Sequence, residues 1–135
     1  MVETAEKAVY PLHKIEPVPE DLRRRYLRRS KDVSARLVRI VPELRRRTVF
    51  YRMNLMTVPY PLKTRFDVIF CRNVIIYFDR ERQQRLIRNL LDYLEPGGFL
   101  FLGHSETLAG MGLPLESVVA TVYRKPDDWT TEAAG

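Results

Sequence analysis

The chain has 135 residues, of which 45% are hydrophobic and 30% charged, and its 23 Lys and Arg outnumber its 17 Asp and Glu to give a formal charge of +6. This composition is typical of a folded globular domain and excludes disordered, collagen-like and coiled-coil proteins. The single cysteine excludes an internal disulfide framework and a cysteine-rich zinc site, and no apolar run is long enough to span a bilayer.

Residues 21–52 carry the excess positive charge. This region holds twelve Lys and Arg and three acids, a net of 12 − 3 = +9, whereas the rest of the chain holds eleven bases and fourteen acids. Arginine contacts carboxylates and phosphates through paired hydrogen bonds, so the region predicts an acidic protein partner, a nucleic acid or only a solvated face. Aromatic side chains do not alternate with the arginines, so a nucleic acid is the least favoured partner.

The start of the chain predicts a linker and then a helix. The first ten residues contain no apolar core of the kind that a secretory signal needs, so we expect a cytoplasmic protein. Residues 10–19 contain three prolines, which is typical of an extended connector. Glu20 and Asp21 follow Pro19 and predict a helix that ends near Tyr26.

Two strands are predicted in the stretch that follows this helix. Residues 34–41 alternate in part, which favours a short strand in a hairpin with the residues before it. Pro42 begins a turn, and the β-rich segment Thr48–Leu55 predicts a second strand that ends near Asn54.

The second half of the chain predicts a parallel strand–helix–strand unit. Phe66–Cys71 is a continuous apolar run, as in strands that are buried on both faces. Asp79 is a favourable N-cap, and Pro96–Gly98 would end the helix that it starts. The next buried strand is Phe99–Leu102, so a parallel crossover is expected. The apolar residues that recur at helical spacing are Leu86, Leu90, Leu91 and Leu94.

Beyond this unit the sequence predicts a loop at residues 103–115, a last strand at Ser117–Arg124 and a frayed tail at residues 126–135. We therefore expect four regions. They are an N-terminal connector (1–20), a basic helix with a small β-subdomain (21–47), an α/β sheet region (48–125) and the tail (126–135).

Polar residues follow the first three predicted strands of the α/β region. Asn54 ends the first, Arg72 and Asn73 follow the second, and His104–Glu106 follow the third. In parallel α/β sheets, ligands bind outside the carboxyl ends of the strands. These polar residues therefore either line a shared ligand-binding cleft or are ordinary loop residues. The two asparagines carry the donor and acceptor that an adenine edge requires, and Tyr77 either packs in the core or lines the pocket.

Other chemistries lack the residues that they need. The sequence contains no Gly-x-Gly-x-x-Gly motif and no P-loop. Its two histidines, His13 and His104, supply neither a metal triad nor a Ser-His-Asp set, so no metal is expected. Cys71 most simply ends a buried strand as a small apolar residue.

Two long blocks, Phe66–Asp79 and Leu94–Glu106, carry motifs of a known family. The shorter motifs Tyr10–Leu12, Asn54–Leu55 and Thr121–Tyr123 fall in the same order and spacing. Together they closely resemble the chemotaxis receptor methyltransferases, the CheR family, over residues 6–124.

The resemblance implies a partial Rossmann-like sheet of the class I methyltransferases with a small β-subdomain inserted in it. It also implies transfer of a methyl group from S-adenosylmethionine to glutamate side chains of chemoreceptor cytoplasmic helices. It places Asn54 and Leu55 at the adenine of the cofactor, with Arg72 and Asn73 lining the cofactor site. The catalytic residues that it implies are Arg72, which orients the acceptor acid, and Tyr77, which packs against the sulfonium.

Residues 25–45 match the β-subdomain of that family, which some members use to grip a receptor's C-terminal peptide by strand addition. The arginines would then face acidic receptor helices. The family pattern also includes an N-terminal helical domain, a glycine-rich cofactor loop and a ribose-binding acid, and this sequence has no match for them. The resemblance therefore implies a truncated enzyme whose strands either pair directly or are exchanged in a homodimer.

Two main functions follow from these observations. The first is the C-terminal part of a chemoreceptor methyltransferase, with Asn54, Arg72, Asn73 and Tyr77 converging on one hollow. The second is a non-catalytic interaction module that binds a chemoreceptor or another acidic partner through the basic region. Nucleic-acid binding by the arginines is a third, less favoured interpretation.

Overall fold

The structure, a computed structural model, describes residues 2–129. Its backbone contacts form two compact units, with the boundary in the sequence between Arg52 and Met53. The four-region division expected from the sequence stays a prediction. No helix in the described part of the chain is long and apolar enough to cross a membrane.

The first unit is built around a small antiparallel sheet. Its central strand is β3 (Leu37–Ile40), which pairs with β1 (Val9–Pro11) on one side and β2 (Leu27–Arg29) on the other. The predicted strand within residues 34–41 and its hairpin with the preceding residues are therefore confirmed. The helices of this unit are α1 (Val2–Lys7), α2 (Glu20–Tyr26) and α3 (Pro42–Arg45).

Helix α2 begins directly after Pro19, as predicted. Glu20 and Asp21 lie in its first turn, where the helix dipole favours negative charge, and arginines fill its last turn. Residues 10–19 form more than an extended connector, because they include part of β1 and a 3-10 turn at Leu12–Ile15. Residues 10 and 11 pair with β3 as part of β1, although the prolines of this stretch predict a linker.

The second unit is a four-stranded mixed sheet that carries one helix. Its strand order is β4-β5-β7-β6, with β4 and β5 parallel and the other pairs antiparallel. The predicted α/β class and the parallel strand–helix–strand unit are confirmed. The elements are β4 (Phe66–Cys71), α4 (Arg80–Leu91), β5 (Leu94–Leu102), β6 (Glu116–Val119) and β7 (Val122–Arg124).

Both ends of α4 are closed by side chains. The Asp79 carboxylate accepts a hydrogen bond from the Arg82 backbone N–H at 2.9 Å, as its predicted role of N-cap requires. At the other end the buried Lys125 ammonium donates to the carbonyl oxygens of Leu91 and Leu94 at 2.6 and 2.7 Å. The residues of α4 and β5 with no exposed surface are Leu86, Ile87, Leu91, Leu94 and Leu100.

Three strand predictions are wrong. Thr48–Leu55 is no strand, because no strand of the described structure pairs with it. Strand β5 begins at Leu94, so Pro96–Gly98 lie within it and interrupt its register with β4 rather than precede it. Ser117–Arg124 is not one strand but most of the β6–β7 hairpin, which turns at Thr121 with a left-handed φ of 65°.

The two faces of the four-stranded sheet differ in exposure. On the face that carries α4, Cys71 and Leu102 are buried. On the opposite face Val68 and Phe70 are 42% and 70% exposed, and the Phe70 ring stacks on Phe101 with centroids 4.7 Å apart. Among residues 2–129, no strand pairs with the outer edge of β4. The prediction that this strand is buried on both faces is wrong, because an apolar run favours burial but does not supply the covering element.

The predicted tail begins at residue 126 and is described as far as Trp129, whereas residues 130–135 lie outside the described residues. Its described part is not frayed. The Arg124 guanidinium donates to the Asp127 carboxylate at 2.7 Å, and the Lys125 ammonium lies 5.1 Å from the centre of the Trp129 ring. Trp129 also packs against the hydrophobic core, so residues 126–129 belong to the sheet unit.

Candidate functional site

The candidate site lies at the carboxyl ends of β4 and β5, which are parallel neighbours. Arg72 and Asn73 follow β4 directly, and His104–Glu106 follow β5 after Gly103. Since parallel strands end at the same edge of a sheet, these two polar segments lie side by side. The structure thereby brings together two of the three polar clusters expected at this edge.

Glu106 joins the two segments. It is 3% exposed, and its Oε2 accepts hydrogen bonds from the backbone N–H groups of Asn73 at 2.9 Å and Gly103 at 2.6 Å. Its Oε1 accepts from the N–H groups of Ile75 at 3.0 Å and Ile76 at 3.4 Å. A buried carboxylate is tolerated only when its oxygens are paired in this way, so the loop after β4 is held to the loop after β5.

The ionisation of Glu106 follows from these contacts. Burial raises the pKa of a carboxyl group, whereas hydrogen bonds from N–H donors lower it. Burial is the largest single effect on Glu106, but the four backbone hydrogen bonds together hold its pKa below the ordinary value of 4.5. Glu106 is therefore ionised at neutral pH.

Asn73 has a left-handed backbone, with a φ of 58°, a region that Asn adopts more readily than most residues. Its side chain reaches across to the loop after β5. A Cβ atom at Gly103 would lie 2.5 Å from Oδ1 of Asn73 and 2.7 Å from Oε2 of Glu106. The close approach of the two loops therefore requires glycine at position 103.

Arg72 and Tyr77, the predicted catalytic residues, lie on either side of Asn73 in the sequence and are both exposed. Tyr77 ends the 3-10 turn Ile75–Tyr77 and is 80% exposed, whereas Ile75 of the same turn is buried. The alternative that Tyr77 packs in the core is wrong. Its ring and hydroxyl can contact a ligand, and the turn that carries them is anchored by the buried side chain of Ile75.

Asn54 and Leu55 lie in a loop rather than at the end of a strand. The Oδ1 atom of Asn54 accepts a hydrogen bond from the Met56 backbone N–H at 2.9 Å, which closes a local turn. The Tyr60 hydroxyl donates to the carbonyl oxygen of Leu55, and the Tyr60 ring stacks on Tyr93 with centroids 4.9 Å apart. These contacts tether the loop to the core of the second unit.

Tyr60 also relates this loop to the end of β4. Tyr60 and Cys71, the last residue of β4, both belong to the buried core of the second unit, and burial raises the pKa of Tyr60. Burial, followed by the charge of Glu106, raises the pKa of Cys71 to about 11. The Cys71 thiol is therefore neutral and unreactive at pH 7, in keeping with a structural role.

A cavity of about 600 Å³ borders the same edge of the sheet. The loop after β5 and the β6–β7 hairpin form its walls, and Glu106 is among its lining residues. None of the five predicted site residues lines it; these are Asn54, Leu55, Arg72, Asn73 and Tyr77. Arg72, Asn73 and Tyr77 share one exposed segment and Asn54 lies on a separate loop, so their convergence on one hollow stays a prediction.

The segment from Arg72 to Tyr77 exposes a guanidinium, a carboxamide and a phenol on a backbone that Glu106 holds. Such groups can orient a carboxylate, bind a nucleoside edge and place an aromatic ring against a cation. They suit a ligand that carries both a nucleoside and a cationic centre. Within residues 2–129, no cluster of His, Cys, Asp or Glu could hold a metal ion.

Sequence reasoning noted Glu106 only as one polar residue after a strand and did not predict its burial. The pattern that carries the information is the pair Gly103 and Glu106, in which the N–H of the glycine donates to the carboxylate three residues later. Lys125 was missed as well, because its preceding strand gives no indication that its ammonium turns inward to cap α4.

Comparison with known proteins agrees with these observations. The family described as CheR methyltransferase, SAM binding domain, matches residues 1–124. The chain is similar to chemotaxis protein methyltransferase 2 of Pseudomonas aeruginosa, with 37% identity over 123 residues that cover 91% of this chain and 44% of that protein.

Two further relatives give the same picture. The chain is 34% identical to the chemotaxis protein methyltransferase of Escherichia coli over 128 residues, which cover 95% of this chain and 45% of that protein. It is 35% identical to the chemotaxis protein methyltransferase of Borreliella burgdorferi over 121 residues, which cover 90% of this chain and 41% of that protein. The chain thus spans less than half the length of each of these relatives.

Proposed function

Because this chain belongs to the CheR methyltransferase family, we propose that it transfers a methyl group from S-adenosylmethionine to glutamate side chains of chemoreceptors in the cytoplasm. The cofactor expected from the resemblance is confirmed as that of the matched family domain. The observation that most supports the proposal is the segment from Arg72 to Tyr77. Glu106 fixes its backbone at the edge of the sheet while its polar side chains stay exposed.

The segment supplies alignment rather than acid–base chemistry. S-adenosylmethionine supplies, when bound, a methyl group on a sulfonium cation. An ionised glutamate side chain is already a nucleophile, so the protein has to align the acceptor rather than deprotonate it. In this proposal Arg72 orients the acceptor carboxylate through charge-assisted hydrogen bonds, and Tyr77 presents its ring to the cation.

Asn54, Leu55 and Asn73 bind the cofactor in this proposal. Oδ1 of Asn54 already accepts a hydrogen bond from Met56, so its amide NH2 group is the one left to donate to the adenine. Leu55 packs partly against the core and offers an apolar contact to the base. Asn73 lines the site beside Arg72.

The first unit supplies the surface for an acidic partner. Four of its exposed arginines lie on α2 and β2, and β2 is an edge strand of its sheet. An edge strand can accept a peptide by strand addition, and nearby arginines attract carboxylates. We therefore assign chemoreceptor binding to this unit. The exposed arginines of α2 and β2 are Arg24, Arg25, Arg28 and Arg29.

Calorimetric titration with S-adenosylhomocysteine tests the cofactor site. We expect micromolar binding that Asn54→Ala weakens at least tenfold. Asn54→Asp keeps the Oδ1 acceptor and therefore the local turn, but it removes the NH2 donor, so we expect it to weaken binding as well. Binding by Asn54→Asp at full strength would exclude the proposed contact, and no heat at millimolar ligand would exclude a working cofactor site.

Methyl transfer itself is tested with a purified chemoreceptor cytoplasmic fragment and S-adenosylmethionine that carries a tritiated methyl group. We expect base-labile label on the receptor, as a glutamyl methyl ester gives. Arg72→Lys keeps the positive charge but loses the paired donors, so we expect it to slow transfer. Unlabelled receptor in the presence of bound cofactor would contradict the proposed activity.

A second candidate function is the non-catalytic interaction module that binds a chemoreceptor or another acidic partner. It is favoured by the basic unit, which has a small sheet of its own with exposed arginines on its edge strand β2. This function predicts receptor binding that weakens steeply with salt and with Arg28→Glu, together with no heat from S-adenosylhomocysteine.

The outer edge of β4 could pair with a second copy of the chain, so we also propose a homodimer. In this dimer either the β4 edges pair or elements are exchanged between the two copies. Sedimentation equilibrium decides this point. A mass twice that of one chain would support the dimer, whereas the mass of a single chain at all concentrations would exclude it.

A further inference from the structure

Glu106 is a buried, ionised carboxylate that takes no part in the reaction proposed above. Its partners are backbone N–H groups, and they belong to two different loops. Three of these donors, from Asn73, Ile75 and Ile76, lie in the segment after β4, and the fourth is Gly103 after β5. A single side chain therefore sets the separation of the two loops that form the edge of the sheet.

Only a carboxylate suits this position. Four donors converge on two oxygens, and an ionised carboxylate offers roughly four lone-pair directions and no proton of its own. Glutamine has nearly the same shape but only one oxygen, and its NH2 group would be turned toward other donors. At least one buried N–H would then lose its partner, which is the costly case for a buried hydrogen bond.

The hydrogen bonds hold the backbone of the residues that the reaction needs. The bond to the Asn73 N–H fixes the residue at its left-handed φ of 58°, directly after Arg72. The bonds to Ile75 and Ile76 fix the 3-10 turn that ends at Tyr77. Misplacement of a reacting group by about 1 Å can cost on the order of a hundredfold in rate, so such an anchor matters for catalysis.

We propose that Glu106 is a positioning residue for methyl transfer, which sets the backbone that presents Arg72, Asn73 and Tyr77 and touches neither cofactor nor substrate. The proposal rests on the function proposed above and deepens it. It assigns a task to a side chain that would otherwise count only as part of the fold.

The first test is Glu106→Gln, followed by NMR and by titration with S-adenosylhomocysteine. We expect the amide resonances of the four donors to move, the resonances of α4 to stay, and the affinity to fall at least tenfold. Glu116→Gln is the matched control, because Glu116 is an exposed carboxylate of the same unit that pairs with Arg124 at 3.0 Å. We expect the control to leave both readouts unchanged.

The second test separates positioning from a purely structural role. Asn73→Gly removes the side chain but still permits the left-handed backbone. If Glu106 acts through this segment, the double variant loses less affinity than the two single variants together. Fully additive losses would overturn the proposal, because they would mean that Glu106 acts elsewhere.

Glu106→Asp serves if the glutamine variant does not fold. It keeps the charge but is shorter by one methylene, so we expect intermediate affinity and smaller movements of the same amide resonances. Unmoved resonances with full affinity in both variants would overturn the proposal. If the unmodified chain binds no S-adenosylhomocysteine, the proposed function fails, and the amide resonances alone then decide: movement in Glu106→Gln supports the anchor, and no movement overturns it.

Discussion

The two faces of the four-stranded sheet are made by alternate residues of the same strands, yet one is buried and the other is open. In β4, Ile69 and Cys71 lie on the face that packs against α4, whereas Val68 and Phe70 lie on the face where they are 42% and 70% exposed. Both sets are apolar, so composition does not distinguish them. The covered face has its partner because α4 is encoded between the two strands on which it packs.

The largest effect is expected beneath α4, where Leu91 has no exposed surface. Leu91→Ala removes buried methyl groups and leaves a cavity, which typically costs about 2–5 kcal/mol of unfolding free energy. Urea denaturation followed by circular dichroism measures this loss. A cost below about 1 kcal/mol would mean that α4 does not pack on this face as described.

The next effect is expected where the covered side reaches the edge of the sheet. In Gly103→Ala the new Cβ would meet Oδ1 of Asn73 at 2.5 Å and Oε2 of Glu106 at 2.7 Å, so the two loops must separate. We expect a loss of about 1–3 kcal/mol, as for other overpacked sites, together with weaker binding of S-adenosylhomocysteine. Gly112→Ala is the comparison, because its Cβ meets nothing within 4 Å and only its φ of 62° is unfavourable. Equal ligand affinity in both variants would contradict the role of the contact.

A smaller effect is expected from acid. The pKa of Glu106 lies below 4.5 in the folded protein, so the stability it contributes is complete above 4.5 and is lost as the pH falls through its lowered value. The difference in unfolding free energy between the unmodified chain and Glu106→Gln should therefore shrink as the pH is lowered from 7 through that range. Urea denaturation of both proteins at several pH values measures this difference. A difference that does not change with pH would show that the negative charge of Glu106 does not stabilise the fold.

The smallest effect is expected on the open face. Phe70→Ala removes a ring that is 70% exposed and stacked on Phe101, and such a pair contributes about 0.5–1.5 kcal/mol. Urea denaturation at two protein concentrations should show a small loss that does not depend on concentration. A loss as large as that of Leu91→Ala, or one that grows with concentration, would mean that a second copy covers this face in solution.

The elements that could be predicted from the sequence are those whose determinants are local. The Asp79 cap and the spacing of the leucines defined α4, and the apolar runs on either side of it defined β4 and the Phe99–Leu102 part of β5. The β2–β3 hairpin of the first unit was predicted from partial alternation in residues 34–41, whereas the third strand, β1, was not. Motif order then identified the family, which the comparison confirmed.

The remaining features depend on contacts that sequence patterns do not encode. Thr48–Leu55 has the composition of a strand but no neighbouring edge to pair with in the described structure. The turn at Thr121 lacks the glycine or asparagine that usually marks a left-handed position. Glu106 could not be told from an exposed loop acid, because its burial depends on donors 30 to 33 residues away as well as on Gly103.

The N–H groups of Asn73, Ile75 and Ile76 lie outside the strands, yet each donates to a buried carboxylate. Deuterium from the solvent can replace these amide protons only when their hydrogen bonds to Glu106 open. We therefore expect the amides of this loop to exchange about as slowly as those of the adjacent strands. A loop that is already ordered before a ligand arrives loses little further conformational entropy when it binds. Slow exchange of these amide protons would therefore identify a binding surface whose conformational entropy is already lost on folding, before any ligand binds.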